Sequence, residues 1–223
     1  GALYRLSREP ERTRAVITTP HALARKQVPP ELFAAGDYLV ARERVDRDRL
    51  LGKLVASGYN SVSIVEDPGT FCVRGGIIDV YSPYLPRPIR IDLFGDEIES
   101  LRTFDPATQR NLDELEDAVL LPAREIVLSD EVIGRSTGAL DQLGDELGVP
   151  SKKLRSIKED VQNRIHFFGI ESLLPLFHDH LASLDAYLPR GENVAYLSES
   201  DEAIEAASAE IHANAELGYA EAT

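Results

Sequence analysis

Residues 71–110, FCVRGGIIDVYSPYLPRPIRIDLFGDEIESLRTFDPATQR, decide how the rest of the chain is read, because they join a regular hairpin pattern to polar residues that no core requires. In the second half of the stretch Ile89, Ile91 and Leu93 alternate with Arg90, Asp92 and Phe94. A period of two sends successive side chains to opposite faces of a strand, so the aliphatic set can line a core. The other face then carries a guanidinium and a phenyl ring with a carboxylate between them. A ring gains nothing there unless something covers it. An ordinary two-faced strand with one stray surface phenylalanine accounts for the pattern. So does a docking patch, since arginine and aromatic residues are over-represented at interface hot spots. Parity does not assign a face to Arg74, because Gly75-Gly76 invites a bulge.

Upstream of this stretch, Leu3, Tyr4 and Leu6 suggest a short helical start and Ala15–Thr19 a compact strand. After Pro20, a second helical stretch runs from Leu23 to Val28, where Pro29 and Pro30 stop it by removing amide donors. Asp37–Val40 reads as a strand, and a domain junction is expected near it. Asp46 is placed to cap a helix bearing Leu50, Leu51, Leu54 and Val55, with Gly58 as its stop. Ser61–Val65 alternates as a strand, and Asp67-Pro68-Gly69 turns into the opening hairpin. Downstream, Ala118–Leu121 reads as a short strand and Val127–Leu147 as a helix despite Gly134, Gly138 and Gly144. Ser151 is expected to cap a helix with the stripe Leu154, Ile157, Val161 and Ile165. Val194–Leu197 reads as a strand, and Ser198 as the cap of a last helix with Glu199, Asp201 and Glu202 in its first turn. Alternating strands and helices place the chain in the α/β class.

The 223 residues carry a formal net charge of -14, unevenly spread. Residues 1–41 hold 6 basic and 4 acidic side chains, residues 42–110 hold 10 and 11, and residues 111–223 hold 8 and 23. So acidic a C-terminal half repels phosphate backbones and argues against direct DNA binding there. The middle segment is near neutral yet rich in arginine, including Arg42, Arg44, Arg47, Arg49, Arg74, Arg87, Arg90, Arg102 and Arg110. That composition suits an acidic protein partner, and equally a solvated surface. One cysteine, Cys72, allows no internal disulfide and fits a reducing cytoplasm, with a buried apolar role as the default. No apolar run approaches the roughly 20 residues of a membrane span and no signal peptide is visible, so a soluble protein is expected. With no methionine anywhere, the chain reads as a piece of a longer protein.

No catalytic motif is complete in the sequence, and a chain without enzymatic activity is expected. A P-loop needs G-x-x-x-x-G-K-[ST], whereas Gly52-Lys53 is followed by Leu54 and has Arg47 at the first glycine position. Asp201-Glu202-Ala203-Ile204 resembles a helicase acidic box, but helix capping explains its acids. His178-Asp179-His180 lacks further clustered metal ligands. Asp92, Asp96, Glu97 and Glu99 could be drawn as a general acid and base of a carboxylate-dependent hydrolase, yet they flank the Gly95 bend, where acids are common.

The motifs FCVRGGIIDVYSP, RIDLFGDEIESLRTFDPATQR and LLPAREI resemble the module that bacterial transcription-repair coupling factors share with the excinuclease protein UvrB. The likeness is strongest over residues 36–126. It extends more weakly through LYRL, VITTPHALARKQV, GIESLLPLF and NVAYLS, and LLPAREI with the residues after it looks more like the coupling factors. A fragment of UvrB, a DNA-binding ATPase, is the alternative. The resemblance implies an α/β fold: a degenerate P-loop-like (Rossmann-like) discontinuous domain, with an inserted small α+β domain containing a β-hairpin. Residues 1–41 would begin the α/β domain, truncated at its start, residues 42–113 would form the insert, and residues 114–223 would complete it. It further implies a module without catalysis that binds the excinuclease protein UvrA through Arg74, Arg90 and Phe94, with the arginines meeting carboxylates and the ring filling a pocket. That face would be covered intramolecularly in the resting longer protein. No cofactor is expected in this chain: ATP and magnesium would serve a motor elsewhere, and RNA polymerase and DNA would be met by other domains. Arg90→Ala and Phe94→Ala are each expected to abolish binding and leave the fold intact.

Overall fold

A computed structural model describes residues 2–8, 15–34, 36–188 and 200–222. Strands β1 (Asp37–Val40), β2 (Asn60–Ser61), β3 (Thr70–Arg74), β4 (Ile77–Tyr81), β5 (Ile89–Phe94), β6 (Glu97–Phe104), β7 (Asn111–Leu115) and β8 (Asp117–Leu120) make two sheets. The larger has the order β2-β3-β4-β5-β6-β7, all antiparallel except the two-residue β2–β3 pairing. The β3–β4 hairpin closes on Gly75-Gly76 as a two-residue turn with Arg74 opposite Ile77, so the expected bulge is absent there. Gly75 has φ +61°, a conformation that costs glycine little. Gly76 is needed for a different reason. Its carbonyl accepts from the Leu93 amide at 2.8 Å, and a Cβ on it would stand 2.6 Å from the Leu93 carbonyl oxygen. The bulge falls instead on β6, where Glu99 is the extra residue between the pairs Asp92–Ser100 and Leu93–Ile98.

One face of this sheet is the main core. Phe71, Ile78, Val80, Ile89, Ile91, Ile98 and Leu101 pack with Leu50 and Leu54 of helix α3, which follows the short helices α1 (Ala2–Arg8) and α2 (Pro20–Ala24) and spans Arg47–Ala56. The spacing that suggested α3 is realised, and Asp46 caps it by accepting from the Arg49 amide at 3.0 Å. The β1–β8 ribbon closes the same core through Leu39, Ala118 and Leu120. Tyr59 anchors the ribbon's exit, donating to the Leu121 carbonyl at 2.6 Å, and burial pushes its phenol up to about 12.

Beyond Leu121 the named elements among the described residues are helices joined by irregular segments. Helices α4 (Asp130–Glu146), α5 (Ser151–Gln162) and α6 (Leu174–Phe177) bury Ile126, Leu128, Leu140, Val161, Ile170 and Phe177 among them. A third cluster joins Leu6, Val28, Phe33, Leu121, Ala182, Leu184 and Tyr187. Tyr84, from the β4–β5 connection, stacks edge-on to Phe33 there at 5.9 Å between centroids. Helix α7 (Asp201–Ala222) packs on α2.

The mixed α/β class expected from the sequence is present. A parallel layer of the P-loop-like kind is not seen among the described residues, whose strands end at Leu120. Ala15–Thr19 is exposed and irregular rather than a strand, because Thr19 and Pro20 serve as cap and first residue of α2: the Thr19 hydroxyl accepts from the Ala22 amide. That start also moves the helix forward to Pro20–Ala24, leaving Val28 buried outside it. The strand expected at Ser61–Val65 shrinks to Asn60–Ser61, and Val65 is buried in a loop. Ser151 is the first residue of α5, behind Pro150 at the cap position, and α5 ends before Ile165. Ser200 takes the capping bond expected of Ser198, accepting from Ala203. Val194–Leu197, Ser198 and Glu199 lie outside the described residues.

Two glycines separate turn demands from helix propensity. Gly138 in α4 has open space around its missing Cβ, so Gly138→Ala should stabilise by about 0.5–1 kcal/mol. Gly76→Ala presses on a backbone carbonyl that cannot move without breaking the hairpin, and should cost about 1–3 kcal/mol. Urea unfolding of the two variants measures both signs.

Candidate protein-docking face

The second face of the six-stranded sheet is assembled by the same alternation. With Ile78, Val80, Ile89 and Ile91 turned into the core, Asp79 and Arg90 must point the other way, and the register sets them opposite each other. Arg102 stands opposite Arg90 on β6, and Glu114 opposite Arg102 on β7. A charged row, Asp79, Arg90, Arg102, Glu114, thus crosses four strands. Next to it Arg74, Ile77, Asp92 and Ser100 form a parallel row, and Phe94 lies one step further along β5.

Asp79 is 1% exposed, and its carboxylate is the acceptor on which the face is built. Arg90 Nε donates to Oδ1 at 2.7 Å and Nη2 to Oδ2 at 3.0 Å, a bidentate fork. Arg74 Nη2 donates to Oδ2 as well. Arg90 Nη1 is taken by the Gln109 carbonyl at 3.2 Å and Asn111 Oδ1 at 2.7 Å. Its guanidinium also lies 4.6 Å from the centroid of the buried Phe104 ring, a cation–π contact. The hydrogen bonds to Asp79 hold the Arg90 guanidinium charged above the ordinary arginine range, outweighing the opposing effect of burial.

The three residues expected to meet a partner therefore share one face but differ in availability. Phe94 is 80% exposed at the end of β5, as the alternation suggested. Arg90 is not an outward, free fork: its side chain is 12% exposed, because Asp79, Gln109 and Asn111 consume four of its five donors. Arg74, to which parity assigns no face, is on the same side and 44% exposed, with one bond to Asp79. Asp79, which holds both arginines in place, is the residue of this face that sequence reasoning misses. Its signal is present all the same, a lone acid within IIDVY whose parity opposes it to Arg90.

Two of the four acids of the Gly95 bend, Asp92 and Asp96, are engaged in ion pairs, and the other two, Glu97 and Glu99, are exposed. Asp92 accepts from Ser100 at 2.7 Å and Arg102 at 3.2 Å, and Asp96 pairs with Arg44 at 3.0 Å on an exposed turn. The His178 ring donates to the Glu125 carbonyl at 2.9 Å, Asp179 pairs with Arg135, and no group of three or more ligating side chains gathers among the described residues. A cleft of about 320 Å³ lies between Pro29–Leu32 and Phe177–His180, away from the sheet face. No described helix is long and apolar enough to cross a membrane.

This geometry changes the expected behaviour of two variants. Arg90→Ala strands a buried carboxylate with only Arg74 beside it and should cost about 3 kcal/mol, against the expectation of an intact fold. Phe94→Ala, truncating a solvated ring, should stay within about 0.5 kcal/mol of wild type. Thermal unfolding of the two proteins measures the difference.

Residues 38–126 match the sequence model of a family described as the UvrB interaction domain. The transcription-repair-coupling factor of Myxococcus xanthus is 40% identical over 193 residues, covering 84% of this chain and 16% of that protein. That of Haemophilus influenzae is 33% identical over 168 residues, 75% of this chain and 14% of the relative. That of Bacillus subtilis is 32% identical over 146 residues, 65% of this chain and 12% of the relative. This chain spans only 12% to 16% of the length of these curated relatives. Through residues 38–126 the chain therefore belongs to the UvrB interaction domain family, in the form found in transcription-repair-coupling factors.

Proposed function

We propose that the second face of the sheet docks the excinuclease protein UvrA and that the chain is a recruitment module of a transcription-repair coupling factor, bringing nucleotide excision repair to stalled RNA polymerase. The observation that carries this reading is Phe94, an almost fully solvated ring beside rows of arginines on an otherwise well-packed sheet. A ring and planar guanidiniums are the usual anchors of a protein interface, and they match an apolar pocket rimmed by carboxylates. Arg74 supplies free donors. Arg90 fixes Asp79, and through it Arg74, and offers the partner one remaining N–H.

The module binds without catalysis and without a cofactor of its own. ATP and magnesium act in a motor elsewhere in the longer protein, whose other parts meet RNA polymerase and DNA in the cytoplasm. There the Phe94 face is covered intramolecularly until UvrA displaces the cover. The discontinuous, degenerate P-loop-like arrangement of residues 1–41 and 114–223 around an insert at 42–113 is part of the same proposal and rests on the family resemblance. A fragment of UvrB itself is not favoured, since the coupling factors of Myxococcus xanthus and Haemophilus influenzae each match three quarters or more of the chain.

Calorimetric titration of purified UvrA tests the reading. Phe94→Ala should weaken binding by more than about 2 kcal/mol, some 30-fold, with an unchanged melting temperature. Arg74→Ala should weaken it with only a small loss of stability. Wild-type affinity in Phe94→Ala would overturn the assignment.

A further inference from the structure

Arg90 and Arg102 stand directly opposite each other on β5 and β6, a like-charge cross-strand pair that a sheet ordinarily avoids. Each is drawn away from the other by its own acid, and those acids differ sharply. Asp79, which holds Arg90, is 1% exposed and bound on both oxygens. Glu114, which receives Arg102 Nε at 3.3 Å and Nη2 at 3.2 Å on a single oxygen, is 77% exposed. Asp92 contributes one further bond to Arg102, at 3.2 Å, shared with Ser100. The Arg90 pair is locked, whereas the Glu114 pair is long, exposed and worth little to the fold.

We propose that Arg102 is a further partner-binding residue, that Glu114 occupies its fork as an internal placeholder, and that a carboxylate of the docking protein replaces Glu114. This rests on the docking reading above. Asp92 fixes one edge of the Arg102 guanidinium, so the opposite edge is already aimed when the partner arrives. The exchange swaps one carboxylate for another and leaves the number of charges on Arg102 unchanged. The incoming acid gains the desolvation of a covered interface, where a bidentate guanidinium pair is stronger than on an open surface. Phe94 and Arg102 then mark two ends of one footprint. Phe94 is four residues along β5 from the position opposite Arg102, about 13 Å at strand rise, well within a standard interface.

Calorimetric titration of purified UvrA into the 223-residue chain decides it, with wild type, Arg102→Ala, Arg102→Lys, Glu114→Gln and Phe94→Ala, each first melted alone. Glu114→Gln should melt as wild type and bind about threefold tighter, because the internal competitor is gone. Arg102→Ala should bind about tenfold more weakly or worse, and Arg102→Lys, which keeps the charge but loses the fork, should recover only part of that. If Arg102→Ala fails to fold, Glu114→Gln and Arg102→Lys decide alone. Glu114→Gln binding no tighter than wild type, or Arg102→Lys binding as wild type, overturns the proposal. Should that happen while Phe94→Ala loses binding, the placeholder falls and the docking face stands. Wild-type binding by Phe94→Ala, or no binding by wild type, removes both.

Discussion

Asp79, a carboxylate with almost no access to water, is held between β3, β4 and β5 by two arginines, and the polar face of the sheet is organised around that constraint. Desolvating a carboxylate costs several kcal/mol, and its partners repay this only if the hydrogen bonds are complete. Here they are: a bidentate fork from Arg90 and a third bond from Arg74. The two hairpins are consequently joined twice, by the ladder between β4 and β5 and by ion pairs on the face above it. Arg90 cannot turn outward without leaving Asp79 to Arg74 alone, which makes it a fixture of the fold before it is anything else.

Around this fixed point the sheet divides its two faces by function. The core face packs aliphatic residues against α3 and the β1–β8 ribbon and needs no polar group. Among the described residues, the other face has no helix over it. Its far end is roofed by the 62–69 and 105–110 loops, which bury Val65, Cys72 and Phe104, and its near end carries Arg74, Arg102 and Phe94. A sheet that only needed to be solvated would place short polar side chains there. Paired arginines, a buried acid and an exposed ring form a surface that is already ordered by its own contacts. Such pre-organisation reduces the entropy lost when rotamer-rich side chains are fixed on binding.

How much of this the chain discloses on its own depends on the range of the interaction. Periods of two and of 3.6 are local, so β5, α3 with its Asp46 cap, and the exposure of Phe94 are legible directly. The face occupied by Arg90 is legible too, but its burial is not. Parity gives a direction and says nothing of Asp79 from the neighbouring strand, or of Asn111 reaching over from β7. Capping chemistry misleads where two candidates compete: Thr19 and Pro20 turn an expected strand into the approach to a helix, and Pro150 displaces Ser151 from the cap. Val65 illustrates the remaining difficulty. A β-branched residue in an alternating run reads as strand, yet here it is buried within a loop because Phe104 and Cys72 of the sheet offer it an apolar floor. Propensity records fit to a half-buried surface, and a loop over a sheet supplies such a surface as well as a strand does.

The distribution of charge sets how such a face must work. A chain of net charge -14 repels an acidic protein at long range, so its arginines cannot act as a field. Asp79 already holds Arg74 and Arg90, and Glu114 with Asp92 holds Arg102, so little uncompensated positive potential extends beyond a Debye length of about 8 Å. On the proposed docking reading, recognition is left to contact distance, where the angle of a guanidinium and the shape of a ring discriminate and bulk charge does not. Tight geometry around Asp79 is then a requirement of specificity as much as of folding: an arginine free to swing would meet any carboxylate, including the many on its own chain.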